Sequence, residues 1–336
     1  MDASSLRDFE ILHFDPNYFD PNGKEVPTLP EDPIALKQSS SWTYCGPLLS
    51  LNAAQLPFSF ESWAQATIHG SLSAPLLAFL EFVHEFLIFN DLSHYWLTIR
   101  ASKGSHEFDV PRWHTDDLFF SPTTPTLPTH RRRSSLPRFP NAITRARRAT
   151  NSRQRRQSEE LYLIEEMKKE SLPSPAQVTT TSPNPANWKL TTTLLGPGTL
   201  FVTQKSSSQA REIQRNIRRL VVAENPDHNC LSVRCVGCTV AAESVRTRLA
   251  AELENHDIVQ AQQGECVFFR VGENDGAVHS EPMSHGDRIF VNIVPGHEED
   301  LRSLMAKWGM EYPRAWCVGL PCQVAEEACW KNFSGI

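Results

Sequence analysis

The feature that most limits the fold of this chain is a long stretch that cannot join a core. Residues 121 to 187 hold 9 of the 24 prolines, much of the Ser and Thr, and few large apolar side chains. Such a segment buries too little apolar surface to offset the entropy of ordering it, so it is expected to be a disordered basic insertion. Removing its 67 residues from 336 leaves 269, ample for one large core interrupted in sequence. The whole chain is 40% hydrophobic and 21% charged, which excludes collagen-like, coiled-coil and wholly disordered architectures.

Charge is unevenly placed. Residues 131 to 156 carry ten arginines and no acid, so the net charge of -6 becomes -16 for the rest once that +10 is subtracted. An acidic body argues against a nucleic-acid enzyme, whose groove would carry the positive field itself. The arginine run suits an import receptor or another acidic partner. Ser135, with Arg132 before it and Pro137 after it, suits a phospho-dependent one. The opening MDASSLRDFE has neither a basic nor an apolar run of the secretory kind. The most apolar stretch, residues 74 to 89, is interrupted by Pro75, Glu81, His84 and Glu85 and is too short for a bilayer. The expectation is a cytoplasmic protein, with the nucleus as second choice and no membrane partner. Its eight cysteines are then read as thiols rather than a disulfide framework.

Residues 1 to 70, rich in proline and aromatics without a clear period, are expected to wrap the core irregularly. A helix is expected at 74–90 and a strand at 94–101. Past the insertion, the β-prone runs WKLTTTLL and LFVTQ flank Gly196-Pro197-Gly198-Thr199 and read as a hairpin. Helices follow at 209–223 and 239–256, strands at 265–271, 277–281 and 288–294, and a helix at 298–308 that Gly309 would stop. The organisation is thus one domain made of 71–120 and 188–297, with 298–336 as a C-terminal helix and Cys-containing tail.

The chemistry concentrates in His114-Thr115-Asp116, with His279 and Arg288 downstream. In extended chain, residues i and i+2 share a face, so His114 and Asp116 can address one metal while Thr115 points away. A second imidazole from a distant strand completes a two-His, one-carboxylate set. That set leaves open positions, as non-haem Fe(II) requires; a structural zinc site would more often be closed and rich in cysteine.

From Gly264 to Val294 the chain runs through a strand, a turn, His279 at the start of the next strand, a Gly-containing turn and Arg288 opening a further strand. Here it resembles the Fe(II)- and 2-oxoglutarate-dependent oxygenases, particularly their prolyl-hydroxylase-like branch. The resemblance implies a double-stranded β-helix, that is, a cupin-like jelly-roll barrel, mainly β with flanking helices (α+β). It further implies that His114, Asp116 and His279 hold Fe(II) and that Arg288 binds the far carboxylate of 2-oxoglutarate. Dioxygen and a small-molecule substrate would complete the reaction.

Asp116 and His279 stand 163 positions apart, or 96 without the 67-residue insertion, a separation suited to such a barrel. The nine positions from His279 to Arg288 are fewer than is common in those enzymes. A closer resemblance, covering roughly residues 95 to 295, is to the family called domain of unknown function 1826. Its W-H-x-D and G-P-G-T motifs appear as Trp113-His114-Thr115-Asp116 and Gly196-Pro197-Gly198-Thr199, with Pro282 soon after His279. That family's name supplies no reaction.

Other readings stay open. A non-catalytic metal-binding or metal-homeostasis protein could use the same site for zinc, with His228, Cys230, Cys235 and Cys238 as a second candidate cluster. A scaffold that kept the fold and lost the chemistry is a third. The Gly-Pro-Gly turn lacks the Lys-Ser or Lys-Thr of a phosphate loop, and no G-x-S-x-G elbow exists. Cys317, Cys322 and Cys329 match no motif.

Overall fold

The computed structural model describes residues 8–15, 33–105, 110–120, 187–224, 235–283 and 285–320, all of which belong to one compact unit. Along the chain come β1 (Phe9–His13), β2 (Ala35–Leu36), β3 (Ser40–Pro47), α1 (Phe58–Thr67), β4 (Ile68–His69), α2 (Ser73–Phe89) and β5 (His94–Ser102). After the insertion follow β6 (Trp188–Leu195), β7 (Leu200–Val202), α3 (Gln204–Ala223) and α4 (Val236–Glu252). The remainder holds β8 (Ile258–Gln260), β9 (Glu265–Arg270), β10 (His279–Ser280), β11 (Arg288–Gly296), α5 (Glu298–Lys307) and β12 (Arg314–Val318).

A large sheet of seven strands has the order β1-β9-β6-β11-β5-β3-β12, and a small one the order β10-β7-β8. Every pairing in the two is antiparallel. The architecture is therefore mainly β with helices, of the α+β kind. Among the described residues neither sheet closes on itself.

Period-two alternation decides which face of the large sheet is dry. In β5 the buried row is Tyr95, Leu97, Ile99 and Ala101, while in β11 it includes Ile289, Val291 and Ile293. Both rows pack against Leu76, Phe79, Leu80, Val83 and Leu87 of α2 and Phe60 and Trp63 of α1. Each such aliphatic or aromatic side chain contributes about 1.5–3 kcal/mol on burial. Two indoles also fix α1 to the sheet, since Trp63 Nε1 donates to Ser40 Oγ at 2.9 Å and Trp42 Nε1 to Ser59 Oγ at 3.1 Å. The alternate row, Thr98 and Arg100 of β5 with Phe290 and Asn292 of β11, lines a cavity on the opposite face.

Two expectations are corrected. The N-terminal region is not merely an irregular wrap, because β1 and β3 are strands of the large sheet. Nor do the runs around Gly196-Pro197-Gly198 form a hairpin: β6 lies between β9 and β11 in the large sheet, whereas β7 lies between β10 and β8 in the small one. The turn carries the chain from one sheet to the other. Gly196 has φ +81°, and a Cβ on Gly198 would lie 2.0 Å from the Ala261 carbonyl oxygen, so the crossing needs residues without side chains. The strand expected at 277–281 is confined to His279–Ser280. The expected helices at 74–90, 209–223, 239–256 and 298–308 appear with shifted ends.

The readings of the insertion, including the arginine run and Ser135, fall on 121–186 and lie outside the described residues. So do His228, Cys230, Cys322 and Cys329. Among the described residues no helix is long and apolar enough to cross a membrane.

Candidate metal centre

The site is built by alternation on two short extended segments. Trp113 is buried with Val202, Ala210, Ile217, Leu249 and Val278, which anchors the W-H-T-D segment to β7, α3 and α4. The next residue on each segment then turns to the other side, presenting His114 and His279. These two form a hydrogen-bonded antiparallel pair, each backbone N–H donating to the other's carbonyl at 2.9 Å. Their ring centroids lie 4.4 Å apart. Thr115 faces away, its hydroxyl accepting from Gln214 Nε2 at 2.7 Å within α3. Asp116 returns to the side of the histidines, and its carbonyl is fixed by the Gly272 N–H at 2.7 Å.

One ligand atom from each of His114, Asp116 and His279 lies within 4.8 Å of the others. His114 Nε2 is 3.8 Å from Asp116 Oδ1, and His279 Nε2 is 3.7 Å from Asp116 Oδ2. Both imidazoles are held from behind. His114 Nδ1 lies 2.8 Å from the Arg112 carbonyl and His279 Nδ1 3.0 Å from the Ala277 carbonyl. A carbonyl accepts only, so each Nδ1 carries the proton and each Nε2 offers its lone pair to the common space. Burial lowers the pKa of both imidazoles, that of His279 to about 3, which keeps them neutral. Burial alone would raise the Asp116 carboxyl, but the charge and hydrogen bond of Lys189 hold it well below the usual carboxylate range. Two neutral imidazoles and one carboxylate suit a divalent first-row ion.

Sequence reasoning missed Lys189. Its Nζ donates to Asp116 Oδ2 at 2.9 Å, and the two side chains are only 15% and 17% exposed. The available signal was a single cation in the strand run WKLTTTLL, where a solvated face would carry several.

The histidines line a cavity of about 470 Å³ whose other walls include Arg100, Arg112, Lys189, Arg246 and Glu281. Its four cations are paired with three acids, Arg100 with Glu281, Lys189 with Asp116, and Arg112 and Arg246 with Glu243, which leaves an excess of one positive charge within an acidic protein. Arg288 is buried on β11, but it lines the adjoining cavity, which shares Arg100, Arg112 and Glu281 with the first. Its Nε donates to the Pro197 carbonyl at 2.9 Å and its guanidinium carbon sits 4.6 Å from the Phe290 ring centre. Burial, partly offset by Glu281, lowers its pKa to about 10, so it remains a cation. An Nη lies 3.4 Å from Thr199 Oγ1, and Thr199 does line the histidine cavity. The G-P-G-T turn thus connects Arg288 to the site.

Of the second cluster, Cys235 and Cys238 stand at the start of α4. Among the described residues, His114, Asp116 and His279 are the group of potential ligands that converges. No family model, curated protein or solved structure matches the chain.

Proposed function

We propose that this protein is a non-haem Fe(II)- and 2-oxoglutarate-dependent oxygenase of a small molecule, built as a distorted double-stranded β-helix, or jelly-roll. The observation that carries the reading is the convergence of two Nδ1-anchored imidazoles and a carboxylate at a cation-lined cavity. The large sheet carrying Arg288 and the small sheet carrying His279 would be the two sheets of that fold.

When bound, iron would supply the activation of dioxygen, coupled to oxidative decarboxylation of 2-oxoglutarate. His114, Asp116 and His279 would hold the ion, a set of three that leaves it able to take further ligands. The cavity's cations, one in excess of the acids paired with them, favour an anionic cosubstrate over a neutral one. Arg288, oriented by Pro197, Thr199 and Phe290, would bind its far carboxylate. Lys189 holds the Asp116 carboxylate charged and oriented.

Metal analysis combined with 2-oxoglutarate turnover tests the reading. The wild-type protein should bind Fe(II) and convert 2-oxoglutarate to succinate. His114→Ala or His279→Ala should lose both metal and turnover, whereas Arg288→Ala should keep the metal and need more 2-oxoglutarate. A protein that holds zinc and consumes no 2-oxoglutarate would be the non-catalytic metal-binding protein instead.

A further inference from the structure

Beside the histidine cavity lies a second one of about 660 Å³ with a different chemistry. Its apolar wall is formed by Trp96, Phe119, Val294, Leu304, Trp308 and Met310. Its charged lining is two acids, Asp116 and Asp117, and two lysines, Lys189 and Lys307, which sum to zero. Lys189 and Asn292 line both cavities. Asp116 lines the apolar cavity while His114 and His279 line the cationic one, so the three ligand candidates stand in the partition between them.

We infer that the apolar cavity is the substrate site, and that it takes a small, uncharged, largely aromatic or aliphatic organic molecule; this rests on the oxygenase reading above. The volume falls in the range of about 300–1,000 Å³ that encloses ligands of that size. A charged substrate would have to break the Lys189–Asp116 pair or face a lining without net charge. An apolar one gains by leaving water, at about 25 cal/mol per Å² buried. The cationic cavity then remains for the anionic cosubstrate, so the two reactants are sorted by charge before they meet at Asp116.

The wall is preorganised. Trp96 stands edge-on to Trp316 at 5.3 Å, and the Met310 N–H donates to the Met305 carbonyl at 3.0 Å. Both side chains pack on the cluster of Cys45, Leu301 and Met305. Val294 follows Asn292 on the outward row of β11 and is only 5% exposed, so a larger side chain there projects into the cavity. Trp308 is 52% exposed and marks its open side.

The test uses the full chain and the neutral dye N-phenylnaphthylamine, whose emission rises in apolar surroundings. Wild-type protein should bind it saturably, one dye per chain. Val294→Phe, which fills the cavity, and Trp308→Ala, which removes wall at a half-exposed position that folding tolerates, should each weaken binding at least about tenfold, some 1.4 kcal/mol. With Mn(II) bound, the dye's proton resonances should broaden, and His279→Ala should abolish that broadening while leaving dye affinity unchanged.

Dye affinity unaltered by both cavity variants, or stoichiometry well above one, overturns the inference. Broadening absent while Mn(II) and dye are both bound overturns it too. Failure of the wild-type protein to bind any divalent metal, with dye binding still lost in Val294→Phe, would leave the cavity as a ligand site and remove the oxygenase reading.

Discussion

Replacing Lys189 by Met separates electrostatics from packing at the centre, because the aliphatic stem is kept and only the ammonium is lost. In the wild type that ammonium stands 2.9 Å from Asp116 Oδ2, with both side chains about five-sixths buried. The neighbouring imidazoles are neutral and cannot take over its charge. Removing one member of a buried pair costs about 3–5 kcal/mol. The lower end, about 3 kcal/mol, is appropriate here because some water still reaches both groups.

For a folded unit of this size about 1 kcal/mol corresponds to roughly 2–4 °C in Tm, so Lys189→Met should melt about 6–12 °C lower without metal. A divalent cation supplies the lost positive charge. Metal at about a hundredfold excess over its Kd stabilises by about 2.7 kcal/mol, and the variant should gain more than the wild type, in which the ammonium repels the incoming ion. Differential scanning fluorimetry with and without Zn(II) reads both quantities. The double variant Asp116→Asn, Lys189→Met should recover much of the lost stability and show no metal response. A Lys189→Met protein as stable as the wild type, or one whose metal-induced gain is no larger, would refute the reasoning.

Acid should destabilise the fold through its buried neutral histidines. His84 is lowered from 6.5 to about 4 by burial, so between those values the unfolded chain binds the proton and the folded one does not. Stability therefore falls as pH drops from about 6.5 towards 4, and His84→Leu should flatten that slope in urea titrations run across the window. Gly198→Ala places a methyl 2.0 Å from a carbonyl oxygen and should cost about 1–3 kcal/mol. It should also weaken metal binding, since the displaced turn leads into β7, the strand paired with His279. Gly264→Ala is the control. Unlike Gly198, Gly264 has a positive φ, +80°, but a Cβ there meets nothing nearer than 3.9 Å, so the change should cost only the backbone strain of about 1–2 kcal/mol and leave metal affinity unchanged.

What the sequence could disclose depended on period and spacing. β5 and β11 were legible because apolar residues alternate through His94–Ser102 and Arg288–Gly296. The pair His114 and Asp116 was legible because spacing by two fixes a shared side wherever the chain is extended. The hairpin at Gly196 was misread because glycine and proline declare a turn without stating which strands pair across it. β1 and β3 were overlooked for another reason. Prolines and aromatics of residues 1 to 70 hide two short runs, FEILH, whose partner β9 lies far away in sequence, and SSWTYCGP, which sits between the nearby β5 and the distant β12. Lys189 escaped notice because its role comes from a contact with Asp116, 73 positions earlier.

The pairing of β1 with β9 sets a schedule for biosynthesis. Phe9 faces Phe269, so β1, once made, must wait for a strand about 250 residues later, from His13 to Glu265. At about 5–20 residues per second that wait is roughly 10–50 s. Meanwhile β3 and β5, which are close in sequence, can pair at once. Until β1 docks, the Cys266–Phe269 run of β9 presents an apolar strand edge on which another chain can template. Chaperone demand during translation should accordingly be concentrated on the interval after β9 has emerged, and N-terminal truncation past His13 should turn a transient hazard into a permanent one.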